Sequence, residues 1–141
     1  MTFQRIVVPY EGGTLSEDAL RIACHLAGEG AHLTAVYVVP IPKSLPIGAE
    51  EAQEETARET LAHAEAVGRE LGVTVDTYVA KAPDVAQGVN ETAATLMADA
   101  VVMSLRHKHA PAETMLLSHT ASRILRHAPC CVVITYHREE D

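Results

Sequence analysis

The sequence is poor in aromatic residues and cysteines, and it contains no glycine after Gly88. One Phe and no Trp occur among its 141 residues, and aromatic residues make up only 4% of the chain. The core must therefore be aliphatic, which is more typical of helices packed on a parallel sheet than of an aromatic-rich β-sandwich. No apolar run approaches the ~20 residues needed to span a bilayer, so membrane insertion is not expected.

The three cysteines predict a reducing environment. Cys24, Cys130 and Cys131 form an odd set without regular spacing, which argues against a disulfide framework. Each lies in an apolar pattern, so all three are interpreted as small core residues. The N-terminus leads directly into a strand-like segment and does not resemble a signal peptide. A cytoplasmic location is therefore expected.

The charge balance is acidic. The formal net charge is −8 with His neutral, so binding to nucleic acid is not expected, because phosphate recognition needs a basic face. The acidic residues concentrate at positions 50–70 and 139–141. Such stretches are usually solvated surface.

Five apolar runs alternate with four helical patterns. Strands are predicted at Arg5–Pro9, His32–Val39, Val73–Val79, Ala98–Met103 and Cys130–Tyr136. Helices are predicted from Ser16 to a stop at Gly28 or Gly30, and over Glu50–Leu71, Asp84–Met97 and Ser118–His127. The candidate N-cap of the first helix is Thr14 or Ser16. The third strand, Val73–Val79, is expected at a sheet edge. The segment Leu105–Leu116 is predicted to be a loop. The alternation predicts one α/β domain over residues 1–141, with a parallel sheet and right-handed crossovers.

Four segments of the sequence resemble the universal stress protein family. They are Ile6-Val-Val-Pro9 followed by an acidic residue and Gly12, Ser16-Glu-Asp-Ala-Leu-Arg-Ile-Ala, Ala98-Asp-Ala-Val-Val-Met103, and Ser122-Arg-Ile-Leu-Arg-His-Ala-Pro-Cys130. The resemblance implies an open five-stranded parallel sheet in the order 3-2-1-4-5 with helices on both faces, a Rossmann-like fold of the adenine nucleotide alpha hydrolase-like type. It also implies a homodimer that pairs through the last strand.

The same resemblance implies a nucleotide site whose glycines are missing here. Many members bind ATP or AMP through Gly, two residues, Gly, nine residues, Gly and Ser or Thr, placed between the fourth strand and the fourth helix. Counting back from the Arg-His-Ala-Pro match puts the glycine positions on Leu105, Lys108 and Ser118, followed by His119. Counting forward from the fourth strand puts the first two on Ser104 and His107. Since glycine lets backbone N–H groups approach phosphates, we expect weak ATP binding or none and no resident cofactor, with ATP or AMP binding as the alternative.

The candidate nucleotide-contacting residues follow from this alignment and from the carboxyl ends of the strands, where ligands of open α/β sheets bind. They are Pro9, Tyr10, Glu11, Val39, Ser104, Leu105, Lys108, Ser118, His119 and Thr120. Glu11 stands where the family usually has Asp, so its carboxylate is displaced by one methylene. The basic cluster Arg106–His109 is either a side-chain anion site or a solvated loop.

Catalytic and metal sites find little support in the sequence. A hydrolase site could use Ser104 or Ser118 as the nucleophile and His119 as the base. Such a site would also need an orienting acid, and no Gly-x-Ser-x-Gly motif surrounds either serine. His107, His109 and His119 lack accompanying Cys or carboxylate ligands in a zinc-like spacing. No enzyme activity and no metal are expected.

The sequence therefore predicts a non-catalytic regulatory stress-response protein. Its homodimer interface is expected along the fifth strand, at Cys131, Val132, Val133, Ile134, Thr135 and Tyr136. A further protein partner is left open. One alternative is a regulatory partner of a membrane transporter, because Val39–Pro46 resembles the second-strand exit of family domains attached to amino-acid permeases.

Overall fold

A computed structural model describes residues 2–41, 48–107 and 119–138 as nine alternating elements. They are β1 Phe3–Pro9, α1 Gly13–Leu26, β2 Ala27–Pro40, α2 Ala49–Glu70, β3 Val75–Ala82, α3 Val85–Thr95, β4 Ala100–His107, α4 His119–His127 and β5 Cys131–Arg138.

The five strands form one parallel sheet in the order β3-β2-β1-β4-β5. The strand order and the edge position of β3 are confirmed. The order reverses at β1, which pairs with β2 on one side and with β4 on the other. This reversal is the switch point at which open α/β sheets bind ligands.

Both faces of the sheet are covered, because consecutive strand residues point to opposite sides. Ile6 and Val8 of β1 pack into a cluster with residues of α1 and α2, whereas Val7 packs into a second cluster with residues of α3 and α4. Both clusters are almost entirely aliphatic, as the composition predicts. This two-sided burial explains why the strands read as continuous apolar runs rather than as alternating patterns.

Several predicted element boundaries are corrected. β4 continues through Leu105 to His107 in register with β5, so the start of the predicted loop is strand. The rest of that loop lies outside the described residues. β2 begins at Ala27, well before His32, and pairs Ala27 with Phe3 across an irregularity in the ladder. Tertiary pairing extends these strands beyond the ends that their apolar runs predict.

The predicted N-cap of α1 is wrong. The cap is Gly12, which makes no side-chain capping bond. Gly12 and Gly13 both have positive φ values, 93° and 86°, a conformation that residues with a Cβ adopt only at a cost. The tight turn between β1 and α1 therefore requires these two glycines, and the Ser16 hydroxyl accepts a bond from the Glu11 N–H instead (3.1 Å).

The cysteines are less uniformly buried than predicted. Cys24 and Cys130 are half-buried, and desolvation by burial raises the pKa of both thiols. Cys131 is exposed at the start of β5, which contradicts its assignment to the core. Within the described part of the chain, no helix combines the length and apolar character needed to cross a membrane.

Candidate functional site

The reversal of strand order places a crevice between β1 and β4 at the carboxyl end of the sheet. The ladder between these strands consists of Ile6 with Ala100 and Val7 with Val101. Beyond it, β1 continues to Pro9 beside β2, whereas β4 continues to His107 beside β5. The two strands thus part at the position where the strand order reverses, and the predicted site residues of β1 and β4 flank this opening.

The turn after β1 forms one wall of the crevice. Pro9 is half-buried, and the Tyr10 N–H donates to the Val36 carbonyl (2.8 Å), which ties the turn to β2. Glu11 is exposed, and its backbone is held by the bond to Ser16. The Glu11 carboxylate is therefore available to a ligand at this edge.

Tyr10 and Val39 serve the core in this structure. Tyr10 is 1% exposed, its hydroxyl lies 2.7 Å from Nδ1 of His63 on α2, and its burial, with the charge of Glu17, raises its pKa. Val39 is fully buried near the end of β2. Only the backbone of these two residues could contact a nucleotide without repacking.

Ser104 and Leu105 occupy paired strand positions, in contrast to a phosphate loop. Ser104 lies opposite Thr135 and Leu105 opposite Tyr136 in the β4–β5 ladder. The Ser104 and Thr135 hydroxyls lie 2.5 Å apart on the α1 face, and Leu105 packs against the cluster beneath α3 and α4. Both side chains are thus engaged within the protein.

The Ser104 hydroxyl is connected through Thr135 to a histidine and a carboxylate, but not in a catalytic arrangement. His137 Nε2 lies 3.4 Å from the Thr135 hydroxyl and 4.0 Å from Asp18 Oδ2 of α1. In a catalytic triad the carboxylate and the nucleophile bind opposite nitrogens of the ring. Here one nitrogen faces both groups, so the imidazole cannot be oriented by Asp18 while it accepts a proton from Thr135.

The remaining predicted contacts lie near the start of α4. Lys108 and Ser118 lie outside the described residues. His119 and Thr120 are exposed in the first turn of α4. Asp84 caps α3 by accepting from the Gln87 N–H (2.9 Å) and pairs with Arg123 (2.7 Å). These two interactions, with smaller contributions that include the charge of His119, lower the Asp84 pKa.

The predicted interface strand β5 is an edge of the sheet, with β4 as its neighbour. Val133 packs against the α1 and α2 cluster, and Val132 and Ile134 against the α3 and α4 cluster, as the alternation predicts. Tyr136 is 45% exposed. The other edge, β3, carries Asp76 and Lys81, whereas the stretch Cys131–Tyr136 of β5 contains no charged residue.

A groove of about 380 Å³ lies between α3 and α4, away from the predicted nucleotide residues. Its polar groups are largely committed to the protein. Gln87 donates to Glu91, Arg123 pairs with Asp84, and Asn90 Nδ2 lies 3.4 Å from the Ile124 carbonyl. Asn90 Oδ1 is buried and has no hydrogen-bond partner among the described residues.

Sequence reasoning missed the roles of four residues near the site. His63 pairs with Tyr10, Thr135 pairs with Ser104, and His137 and Asp18 extend the Ser104–Thr135 pair. These residues come from α2, β5 and α1, and no local motif links them. Among residues 2–41, 48–107 and 119–138, no three His, Cys, Asp or Glu side chains come together as metal ligands would.

Comparison with known proteins agrees with this fold. The profile of the universal stress protein family matches residues 2–135. A protein of that family from Burkholderia pseudomallei is 28% identical, with a TM-score of 0.70 and coverage of 93% of this chain and 94% of that one. No curated protein matches the sequence.

Two nucleotide complexes share the fold at lower identity. A universal stress protein in complex with cAMP is 18% identical, with a TM-score of 0.75 and coverage of 96% of this chain and 98% of that one. The Archaeoglobus fulgidus universal stress protein in complex with dAMP is also 18% identical, with a TM-score of 0.71 and coverage of 95% and 98%. Given the family match over residues 2–135 and a five-stranded sheet in the order 3-2-1-4-5, this chain belongs to the universal stress protein family.

Proposed function

We propose that this protein is a non-catalytic, homodimeric regulator of the universal stress protein type that binds ATP weakly or not at all. The observation that carries the proposal is the continuation of β4 through Ser104 and Leu105 in register with β5. Phosphate loops offer free backbone N–H groups on glycine-rich turns. In this chain, the first glycine position of the motif falls on Leu105 or on Ser104, according to the direction of counting, and both are side-chain-bearing strand residues. No glycine follows Gly88.

The expected loss of affinity follows from backbone conformation. An ordinary residue in the left-handed region costs roughly 1–2 kcal/mol, so two or three such positions cost several kcal/mol. Since each 1.4 kcal/mol is about tenfold in affinity, a micromolar site would move towards millimolar. The charge of Lys108 and the helix dipole at the start of α4 would each offset roughly 1 kcal/mol of this lost binding free energy.

Titration calorimetry with Mg-ATP at near-physiological salt tests this proposal. We expect no binding tighter than roughly millimolar. The triple variant Leu105→Gly, Lys108→Gly and Ser118→Gly should bind more tightly than the unmodified protein. A dissociation constant of about 10 μM or tighter for the unmodified protein would contradict the proposal. ATP turnover above a protein-free control would contradict the absence of catalysis.

The homodimer is proposed to form through β5. An eight-residue edge strand of this apolar character invites pairing with another chain, and two copies related by a two-fold axis would cover both edges. The opposite edge, β3, carries two charged residues, Asp76 and Lys81, and Lys81 also ties this edge to Glu50 and Glu54 of α2. The supporting evidence is thus the contrast between the two edges.

Proline substitution at adjacent positions of β5 tests the interface. Val133 and Ile134 direct their N–H groups to opposite sides of the strand, so one of the variants Val133→Pro and Ile134→Pro removes an outward donor and the other an inward one. The variant that loses the outward donor should be a folded monomer, and the other should destabilise the sheet. Light scattering and circular dichroism distinguish these outcomes. A monomeric unmodified protein at micromolar concentration would refute the interface.

Nucleotide monophosphate binding is the second candidate. It is favoured by the crevice between β1 and β4, by the exposed Glu11, and by the cAMP and dAMP complexes of proteins with this fold. Such ligands place fewer phosphates on the glycine-free segment than ATP does. Mass spectrometry of small molecules released on denaturing freshly purified protein tests this candidate, and a retained nucleotide would support it.

Two further proposals concern location and partner. The half-buried, protonated thiols of Cys24 and Cys130 are consistent with a cytoplasmic protein. A transporter partner rests on the segment Val39–Pro46, of which residues 42–46 lie outside the described part. Co-purification with a membrane fraction would test that role.

A further inference from the structure

A second cavity lies at the amino-terminal end of the sheet, opposite to the crevice between β1 and β4. It has a volume of about 220 Å³ and lies on the face covered by α3 and α4. Three strands contribute polar side chains to it, and the turn after α3 closes one side. Its lining includes Arg5, His32, Thr34, Asp76, Val7, Leu96 and Ala98.

The register of the sheet explains why the polar groups converge. Arg5 lies opposite His32 in the ladder between β1 and β2, and Thr34 lies opposite Asp76 in the ladder between β2 and β3. Alternate residues of a strand share a face, so all four point to the side on which Val7 is buried. Across the sheet, the cavity therefore has the Arg5 guanidinium over β1, the His32 imidazole and the Thr34 hydroxyl over β2, and the Asp76 carboxylate over β3.

These polar groups are not committed to the protein. The side chains of Arg5, His32, Thr34 and Asp76 make no hydrogen bond or ion pair with any other part of the chain that the structure describes. The larger groove between α3 and α4 differs, because its guanidinium and amides are already paired. Arg5, His32 and Asp76 are exposed and Thr34 is 9% exposed, so a ligand in the cavity could meet all four side chains without breaking an existing bond within the protein.

The border of the cavity is apolar and exposed. Tyr78 follows Asp76 on the same face of β3 and is 47% exposed. Met97, between the lining residues Leu96 and Ala98, is 73% exposed and has a φ of 54°. A side-chain-bearing residue adopts this backbone region only at a cost. The cavity thus combines opposite charges at its ends with apolar walls.

We propose that this cavity binds a small zwitterion of the amino-acid type. Its carboxylate would lie at Arg5 and His32, since guanidinium presents paired donors that match a carboxylate, and its ammonium at Asp76. The body of the ligand would contact Val7 and Leu96. A volume of 220 Å³ is below the ~300–1,000 Å³ of drug-sized pockets and suits a small metabolite.

The length of the ligand is set by the strand spacing. β1 and β3 flank β2, and neighbouring strands are ~4.8 Å apart, so the backbones of Arg5 and Asp76 are roughly 10 Å or more apart. Both side chains project from the same face of the sheet, so a bound ligand would have to bridge this separation. A chain-length series of amino acids therefore tests the geometry as well as the charge requirement.

The test is a set of NMR titrations that follow the His32 imidazole. The probes are glycine, 4-aminobutyrate and 6-aminohexanoate, each compared with the acid that lacks the amino group: acetate, butyrate and hexanoate. We expect at least one amino acid to bind with a dissociation constant below about 1 mM, and its matched acid to bind at least about tenfold more weakly. No saturable response to any probe would overturn the proposal.

Variants separate the zwitterion site from a simple anion site. Arg5→Gln and Asp76→Asn should each weaken binding of the amino acid by about tenfold or more, whereas Arg126→Gln and Glu29→Gln, at exposed positions outside the cavity, should leave it unchanged. Circular dichroism checks that each variant is folded. Equal binding of the matched acid together with no effect of Asp76→Asn would overturn the proposal, because only the anion would then be recognised.

Discussion

Replacing Gly88 by Ala should destabilise the protein even though alanine favours helix. A Cβ on Gly88 would lie 2.6 Å from Cγ1 and 2.8 Å from Cγ2 of Val38, whereas carbon atoms pack at about 3.5–4.0 Å. Val38 is 8% exposed beneath α3, so relief requires movement of the helix or an unfavourable rotamer. Overpacking of this kind costs about 1–3 kcal/mol, and alanine returns roughly 1 kcal/mol of helix propensity. We therefore expect the free energy of unfolding to fall by about 1 kcal/mol.

Urea unfolding at fixed protein concentration, followed by circular dichroism, measures this effect. The Val38→Ala background provides the control, because it removes both methyl groups that the new Cβ would meet. In that background only the Cβ of residue 38 remains close to the new Cβ, at 3.2 Å. Gly88→Ala should then be neutral or stabilise the protein by up to about 1 kcal/mol, which gives a coupling energy of about 1–2 kcal/mol in the double-mutant cycle. Equal effects of Gly88→Ala in both backgrounds would refute the argument that contact with Val38 requires the glycine.

Three further predictions concern single side chains. Asp84→Ala should cost about 1 kcal/mol by removing the cap on Gln87, and Asp84→Asn should cost less because an amide oxygen still accepts. The pKa of the Asp84 carboxyl is lowered from 3.8, so its contribution to stability is present above that pH and is lost as the pH falls below it. A pH series of thermal unfolding measures this loss. If the Asp84→Asn variant were as sensitive to acid as the unmodified protein, the prediction would be contradicted. Met97→Gly should raise the free energy of unfolding by about 0.5–1 kcal/mol, since glycine tolerates the positive φ, and lower stability in urea would argue against strain there. Tyr10→Phe should cost about 1 kcal/mol by removing the bond to His63, and an unchanged urea midpoint would show that the bond adds nothing.

The alternation of strands and helices could be predicted because the information for it is local and repeated. Apolar runs such as Ile6-Val-Val-Pro9 alternate with amphipathic segments, and this alternation restricts the chain to parallel crossovers. The order 3-2-1-4-5 came from the family resemblance, and the structure shows it. Element ends were less predictable, because β4 gains Leu105 to His107 through pairing with β5 and not through any apolar run of its own.

The candidate site could be predicted in its location but not in its contacts. The carboxyl edge of the sheet follows from topology alone, and Glu11 is exposed there. That Tyr10 is buried against His63, and that Ser104 meets Thr135, depends on helices and strands distant in sequence. Nothing near either residue in the chain indicates its partner.

The sequence by itself determined the fold class, the aliphatic core and the absence of a glycine loop, since these depend on composition and on short-range periodicity. Only the tertiary structure brought Arg5, His32, Thr34 and Asp76 to one cavity, because the register of three strands places them on one face. In the sequence they are isolated polar residues near the starts of strands. Their convergence is a property of strand pairing, which joins positions far apart in the chain and leaves no local signal.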